Sequence, residues 1–200
     1  MRKFFVGFSF VLFGSFFISN YVLSVNTDIV INEIGAYEAP GHEWIEIWNK
    51  GSEVVDLTGW KFWENNTNHS LSVSSTDAVV AAGEYAVVVQ DSEQFIFDHP
   101  AFGGSVFDSS WSSLNEGGEE IGLKDAEGNF IEQFTYISAS NFSLQRRSAT
   151  LVDYSSANWT EHADGNTVGA LNIFVIEISE QNNTSTSSTV PVSFSSIKIN

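Results

Sequence analysis

From residue 28 onward the chain is a succession of short runs rich in Ile, Val, Trp, Phe and Tyr, each cut off by Gly, Asn, Asp or Ser. That punctuation leaves no room for a long helix and suits a fold of many short strands joined by tight turns. Residues 28–34 (DIVINEI) form the first run. Residues 43–48 (EWIEIW) alternate, which places Ile45 and Ile47 on one face and Trp44, Glu46 and Trp48 on the other. Asn49-Lys50-Gly51-Ser52 reads as a turn before residues 54–57, and Thr58-Gly59 leads into residues 60–64. Ala82-Gly83 separates residues 78–81 from 85–90. Residues 121–124 and 130–136 flank a loop whose length and Gly128 suit a hairpin with a bulge. In residues 130–136, Glu132 shares parity with Phe130, Phe134 and Tyr136, which predicts a bulge or an edge strand. Only Ser92–Asp98 has the pattern of a short helix, with Pro100 soon after it. The expected class is all-β, an antiparallel sandwich or barrel.

No disulfide supports this fold, because the 200 residues include no Cys. Thiolate metal sites are excluded for the same reason. The core must hold the domain alone, and the length suits one domain.

Charge narrows the partners. Lys and Arg number 8 against 25 Asp and Glu, a net charge of −17. Such a surface repels phosphate backbones and anionic headgroups, so neither nucleic acid nor an anionic membrane is an expected partner.

Both ends differ from the middle. Met1-Arg2-Lys3 precedes an apolar run from Phe4 to Ile18, and Val22-Leu23-Ser24 offers a cleavage site. Residues 1–24 therefore read as a signal peptide, with an uncleaved anchor as the other reading and the only route to a membrane. Either reading predicts an extracellular or cell-surface location. Residues 28–172 are the expected domain, and 173–195 a strand extension and Ser/Thr-rich linker. Residues 196–200 (SIKIN) echo DIVIN at 28–32, as the start of a second copy would.

Chemistry-bearing residues have mostly structural readings. His42, His69, His99 and His162 include no pair at metal-ligand spacing. Asp125, Glu127 and Asn129 offer oxygens to a calcium ion, but turn chemistry explains them without one. No cofactor and no metal is expected. Glu46 is expected on the outer face beside Trp44 and Trp48, pairing with Lys50 or bonding backbone groups. Arg146 and Arg147 are expected to pair with carboxylates, with anion capture as the other reading. Trp60 and Trp159 read as core. Trp63 and Trp111 either form an aromatic platform, since flat Trp faces stack on sugar rings, or pack beneath loops. Trp44 and Trp48 either pack under a loop or lie exposed.

Taken in order, IVINEI (29–34), EWIEIWN (43–49), DLTGW (56–60), AAGEYAVVV (81–89), LNEGGEEIGLKDAEGN (114–129), FIEQFTY (130–136), SLQRR (143–147), NW (158–159) and GNTVGALN (165–172) carry a resemblance. The chain resembles the lamin-tail domain in the form found in exported bacterial proteins. The resemblance implies an immunoglobulin-like antiparallel β-sandwich without enzymatic activity. In nuclear lamins such a domain is a docking surface, and in exported bacterial proteins it resembles an accessory module. The last motif departs from the usual Thr-Pro-Gly, reading Asn166-Thr167-Val168-Gly169. Trp63 and Trp111 fall where the family pattern does not ask for Trp. The leading expectation is a non-catalytic interaction module of a larger exported protein, with an unknown protein or glycan as partner. A carbohydrate-binding module using Trp63, Trp111, Trp44 and Trp48 is the alternative, and a hydrolase, needing converging acids or His, the third.

Overall fold

The computed structural model describes residues 28–75 and 77–174. The expected signal peptide, the end of the linker and the second-copy fragment lie outside these residues.

Two main sheets face one another. The larger has seven strands in the order β13 (Trp159–Glu161), β12 (Leu144–Arg146), β1 (Ile29–Ile34), β2 (Trp44–Asn49), β8 (Tyr85–Val89), β9 (Ser105–Asp108) and β6 (Ser72–Val73). The smaller has four in the order β11 (Phe130–Thr135), β10 (Glu120–Lys124), β4 (Lys61–Glu64) and β5 (Thr67–Ser70). A short pair, β3 (Val55–Asp56) with β7 (Val79–Val80), completes an immunoglobulin-like sandwich.

Alternation builds the core. Ile45 and Ile47 of β2 point inward with Ile29, Ile31 and Ile34 of β1, and meet Phe62, Ile121, Leu123 and Phe134 of the smaller sheet. Full burial of each such side chain contributes about 1.5–3 kcal/mol. Trp60 and Trp159 join the same cluster. The Ile spacing in IVINEI is two, then three, and the structure shows why. A bulge between Ile31 and Glu33 adds a residue to β1, so Asn32 and Glu33 both turn to the outer face while Ile34 returns to the core.

A bulge or an edge strand is expected of residues 130–136, and β11 has both. It ends the smaller sheet, and its register shifts opposite Leu123 and Lys124. Its Glu132 closes the side of the sandwich. The carboxylate accepts from Ile31 N at 2.8 Å and from Arg146 Nη1 at 2.8 Å, and that same Nη1 donates to Ile31 O. These two side chains thus satisfy β1 backbone groups where β12 has no partner for them.

One pairing departs from the antiparallel expectation. Strands β8 and β9 run parallel. Parallel neighbours need a crossover, and helix α1 (Ser92–Asp98) supplies it. Asp91 caps the helix, accepting from Glu93 N and Gln94 N. Strands β5, β6, β9, β12 and β13 add to those expected. Several of them, such as Thr67–Ser70, are too polar to show alternation.

The outer face of the larger sheet is covered at one end by α1, which buries Phe95 against Trp44, Val87, Val89 and Val106. Trp44 fits there because Gly35 has no side chain: a Cβ at Gly35 would lie 2.4 Å from the Trp44 ring. Segment 165–172 covers the middle of that face, through contacts described below.

Candidate functional site

The four tryptophans proposed as a binding surface do not share a face. Trp44 is fully buried under α1. Trp111 is buried against Phe62, and its Nε1 donates to Glu43 Oε2 at 2.7 Å. Trp63 is buried on the outer face of the smaller sheet, edge-on to Phe130 and with Lys124 Nζ over its ring. Those three rings have their faces occupied by protein, so of the two readings weighed for them they take the packed one and not the exposed platform. Trp48 is different: it is half-buried, and its ring lies nearly parallel to that of its cross-strand partner Tyr85, centroids 6.3 Å apart.

The acids of the recognised motifs converge on one buried network. Glu33 pairs with Gln145 of β12 on one side and with Glu46 of β2 on the other. Glu33 accepts from Thr167 N at 2.8 Å, Thr167 Oγ1 at 2.9 Å and Ser143 Oγ. Gln145 Nε2 donates to Glu33 and to Thr167 Oγ1. Glu46 accepts from Asn32 Nδ2 at 2.7 Å and from Gly169 N at 2.6 Å. Asn172 Nδ2 donates to the carbonyls of Asn32 and Arg146. The network clamps segment 165–172 across strands β12, β1 and β2.

Glu46 is therefore on the outer face, as its parity requires, yet buried and bonded to Gly169 N and Asn32 rather than Lys50. Burial pushes its carboxyl up to about 8, and the neighbouring Glu33 adds to the shift. A glycosidase acid pair needs a cleft between its two carboxyls. Here both are covered, and their oxygens hold backbone and side-chain donors in place.

Other titratable groups are likewise structural. Glu43 anchors residues 111–114 through Trp111 Nε1, Ser113 Oγ and Leu114 N. His42 meets Asp98 at 2.7 Å, and His69 meets Glu64 at 3.0 Å. Asp125 accepts from Asn129 N and Asn129 Nδ2 within its own hairpin loop, the turn chemistry expected of that segment. Among the described residues, no three His, Cys, Asp or Glu cluster as metal ligands. No described helix is long and apolar enough to cross a membrane.

Of the two adjacent arginines, one meets the expectation of pairing with an acid. Arg146 is buried against Glu132 with Trp159 and Tyr154 beside it. Arg147 is exposed, and its guanidinium lies 5.1 Å from the Phe174 ring. It lines a cleft of about 340 Å³ with Trp48, Tyr85, Ser148, Thr150 and Leu171. This cleft brings together ring faces, hydroxyls and a solvent-facing cation, and is the best candidate for a binding site. Only Trp48 of the proposed residues contributes to it. Tyr85 was missed as a site residue, and the anion-capture reading of Arg147 lacked its partners, because their meeting depends on the β2–β8 register and on the path of residues 147–150.

The family model described as Lamin Tail Domain matches residues 23–138, more than half of the chain. No curated protein matches it.

Proposed function

The chain belongs to the lamin-tail domain family, as a non-catalytic module, and from that premise we propose that it serves as the interaction domain of a larger exported or cell-surface protein. The observation that carries the proposal is the Trp48–Tyr85–Arg147 cleft. It is open to solvent, while the acids of the motifs are committed to holding segment 165–172. Export rests on the basic and apolar character of residues 1–24. An exported acidic module with few free cations suits neutral partners, or partners that present an acid to Arg147.

Site-specific photo-crosslinking in the protein's own host tests this reading. A photo-reactive residue at Tyr85, in the cleft, should give adducts outside the cytoplasm. The same residue at Phe97, which is 79% exposed on α1 and away from the cleft, should not. Equal labelling at both positions, or adducts confined to the cytoplasm, would overturn it.

A second reading, a carbohydrate-binding module, is favoured by the near-parallel Trp48 and Tyr85 rings. It moves the stacking role from the buried Trp63 and Trp111 to Trp48.

A further inference from the structure

Four clefts besides that of Trp48 carry acids in their walls: Asp108 in one, Asp77 and Glu84 in a second, Asp98 in a third and Glu132 in a fourth. The Trp48 cleft has two arginines in its wall and no acid. On a chain with 25 acids that wall stands apart, although Glu46, Glu33 and Glu84 lie near enough to act on Tyr85. Arg146 is neutralised by Glu132, so the available charge is that of Arg147.

The cleft's other walls are of two kinds. Trp48 and Tyr85 present aromatic rings inclined by 23°. Ser148 and Thr150 present hydroxyls that bond each other at 3.0 Å and keep further bonding capacity. A ligand matching all three has a flat apolar face, hydroxyls on its rim and one negative charge. An extended peptide does not match. The aromatic pair stands on β2 and β8, interior strands whose backbone groups are spent on ladders to both neighbours, so no edge is free for strand addition.

We propose that this cleft binds a single carboxylate-bearing sugar residue of an otherwise neutral polysaccharide, with its ring against Trp48 and Tyr85 and its carboxylate on the Arg147 guanidinium. The proposal rests on the cleft being the interaction site and names its ligand class. The C–H face of a pyranose excludes water from an aromatic ring, and a guanidinium meets a carboxylate with two parallel N–H···O bonds. The volume of about 340 Å³ lies at the small end of ligand sites, which run from roughly 300 Å³. A short stretch of a polymer fits it better than a branched glycan.

Calorimetric titration of the whole chain with a linear tetrasaccharide of three glucoses ending in one glucuronate, and with its methyl ester, tests the proposal. The free acid should bind and the ester should bind about tenfold more weakly. Arg147→Gln is an exposed substitution that leaves the fold intact, and it should abolish the difference between the two probes. Trp48→Phe should retain weakened binding of both probes, and Trp48→Ala should lose both. Equal binding of acid and ester to the natural protein would overturn the role of Arg147. Absence of binding to either sugar would overturn the ligand class. So would binding of a Glu-rich peptide in place of the tetrasaccharide, even if crosslinking at Tyr85 succeeds and upholds the interaction role itself.

Discussion

Glu33 and Glu46 oppose each other across the β1–β2 ladder, both fully buried beneath segment 165–172. Two acids in that position have no cation between them. Glu33 is supplied with donors from Ser143, Gln145 and Thr167, whereas Glu46 has Asn32 and Gly169 alone. Burial raises Glu46 to about 8, its two donors offset that only in part, and the Glu33 carboxylate adds to it. A proton on Glu46 removes the repulsion and keeps the segment clamped.

That carboxyl makes stability depend on pH. Its folded value, about 8, lies above the ordinary value of 4.5. The folded state therefore holds a proton that the unfolded chain has lost, and the contribution is complete below 4.5 and lost as pH rises through about 8. The slope is at most about 1.4 kcal/mol per pH unit within that window. Urea unfolding between pH 5 and pH 9 (conditions spanning roughly that window) should show Glu46→Gln losing this component. Parallel curves for the two proteins would contradict the assignment.

The adjacent arginines should respond very differently to removal. Arg146 is buried, paired with Glu132, and donates to the carbonyls of Ile31, Ser148 and Leu151. Arg146→Met leaves the Glu132 charge buried and unpaired, a loss of about 3–5 kcal/mol. Glu132→Ala should cost a similar amount. Arg147→Gln, one residue on, changes an exposed side chain and should stay within about 0.5 kcal/mol. Equilibrium unfolding in urea at neutral pH separates these cases, and equal effects at 146 and 147 would refute the buried bridge.

The larger sheet and its core extend past the family match. Residues 139–174 supply β12, β13 and segment 165–172, and with them Leu144 and Trp159 of the core. Trp159 lies 5.3 Å from Phe134, and Leu144 is fully buried beside Ile34. A chain of residues 28–138 exposes that side of the sandwich and the free edge of β1. It should give a poorly dispersed amide spectrum without a cooperative thermal transition. A chain of residues 28–174 should show both. Cooperative unfolding of the shorter chain would place the core boundary nearer residue 138.

Strands with a buried and a polar face were legible because alternation records them directly. Ile45 and Ile47, Phe62, Ile121 and Leu123 all face inward, as their parity demands. The bulge in β1 was written in the three-residue step from Ile31 to Ile34, but DIVINEI was read as an ordinary strand. Strands such as Thr67–Ser70 left no such record, because their place depends on a neighbour's backbone and not on their own side chains. Burial of the outer face was illegible for a related reason. Trp44 and Glu46 share the parity of Trp48, and which of them is covered depends on α1 and on segment 165–172, far away in sequence. Trp111 was unreadable in the same way, since its partner Glu43 is 68 residues distant.

Trp48 offers a spectroscopic handle that the other tryptophans do not. Of the six in the sequence, Trp44, Trp60, Trp63, Trp111 and Trp159 are buried, and Trp48 alone is half-open to solvent. Collisional quenching by acrylamide requires contact with the indole, so the readily quenched part of the emission should belong to Trp48. Trp48→Phe should remove that part and move the remaining emission to shorter wavelength, because the buried indoles sit in apolar surroundings. The substitution loses the indole bond to Gly83 O at 3.2 Å but keeps a ring against Tyr85, so the fold should persist. Unchanged quenching in Trp48→Phe would mean that another indole is the accessible one, and the cleft would lose its aromatic wall as a binding surface.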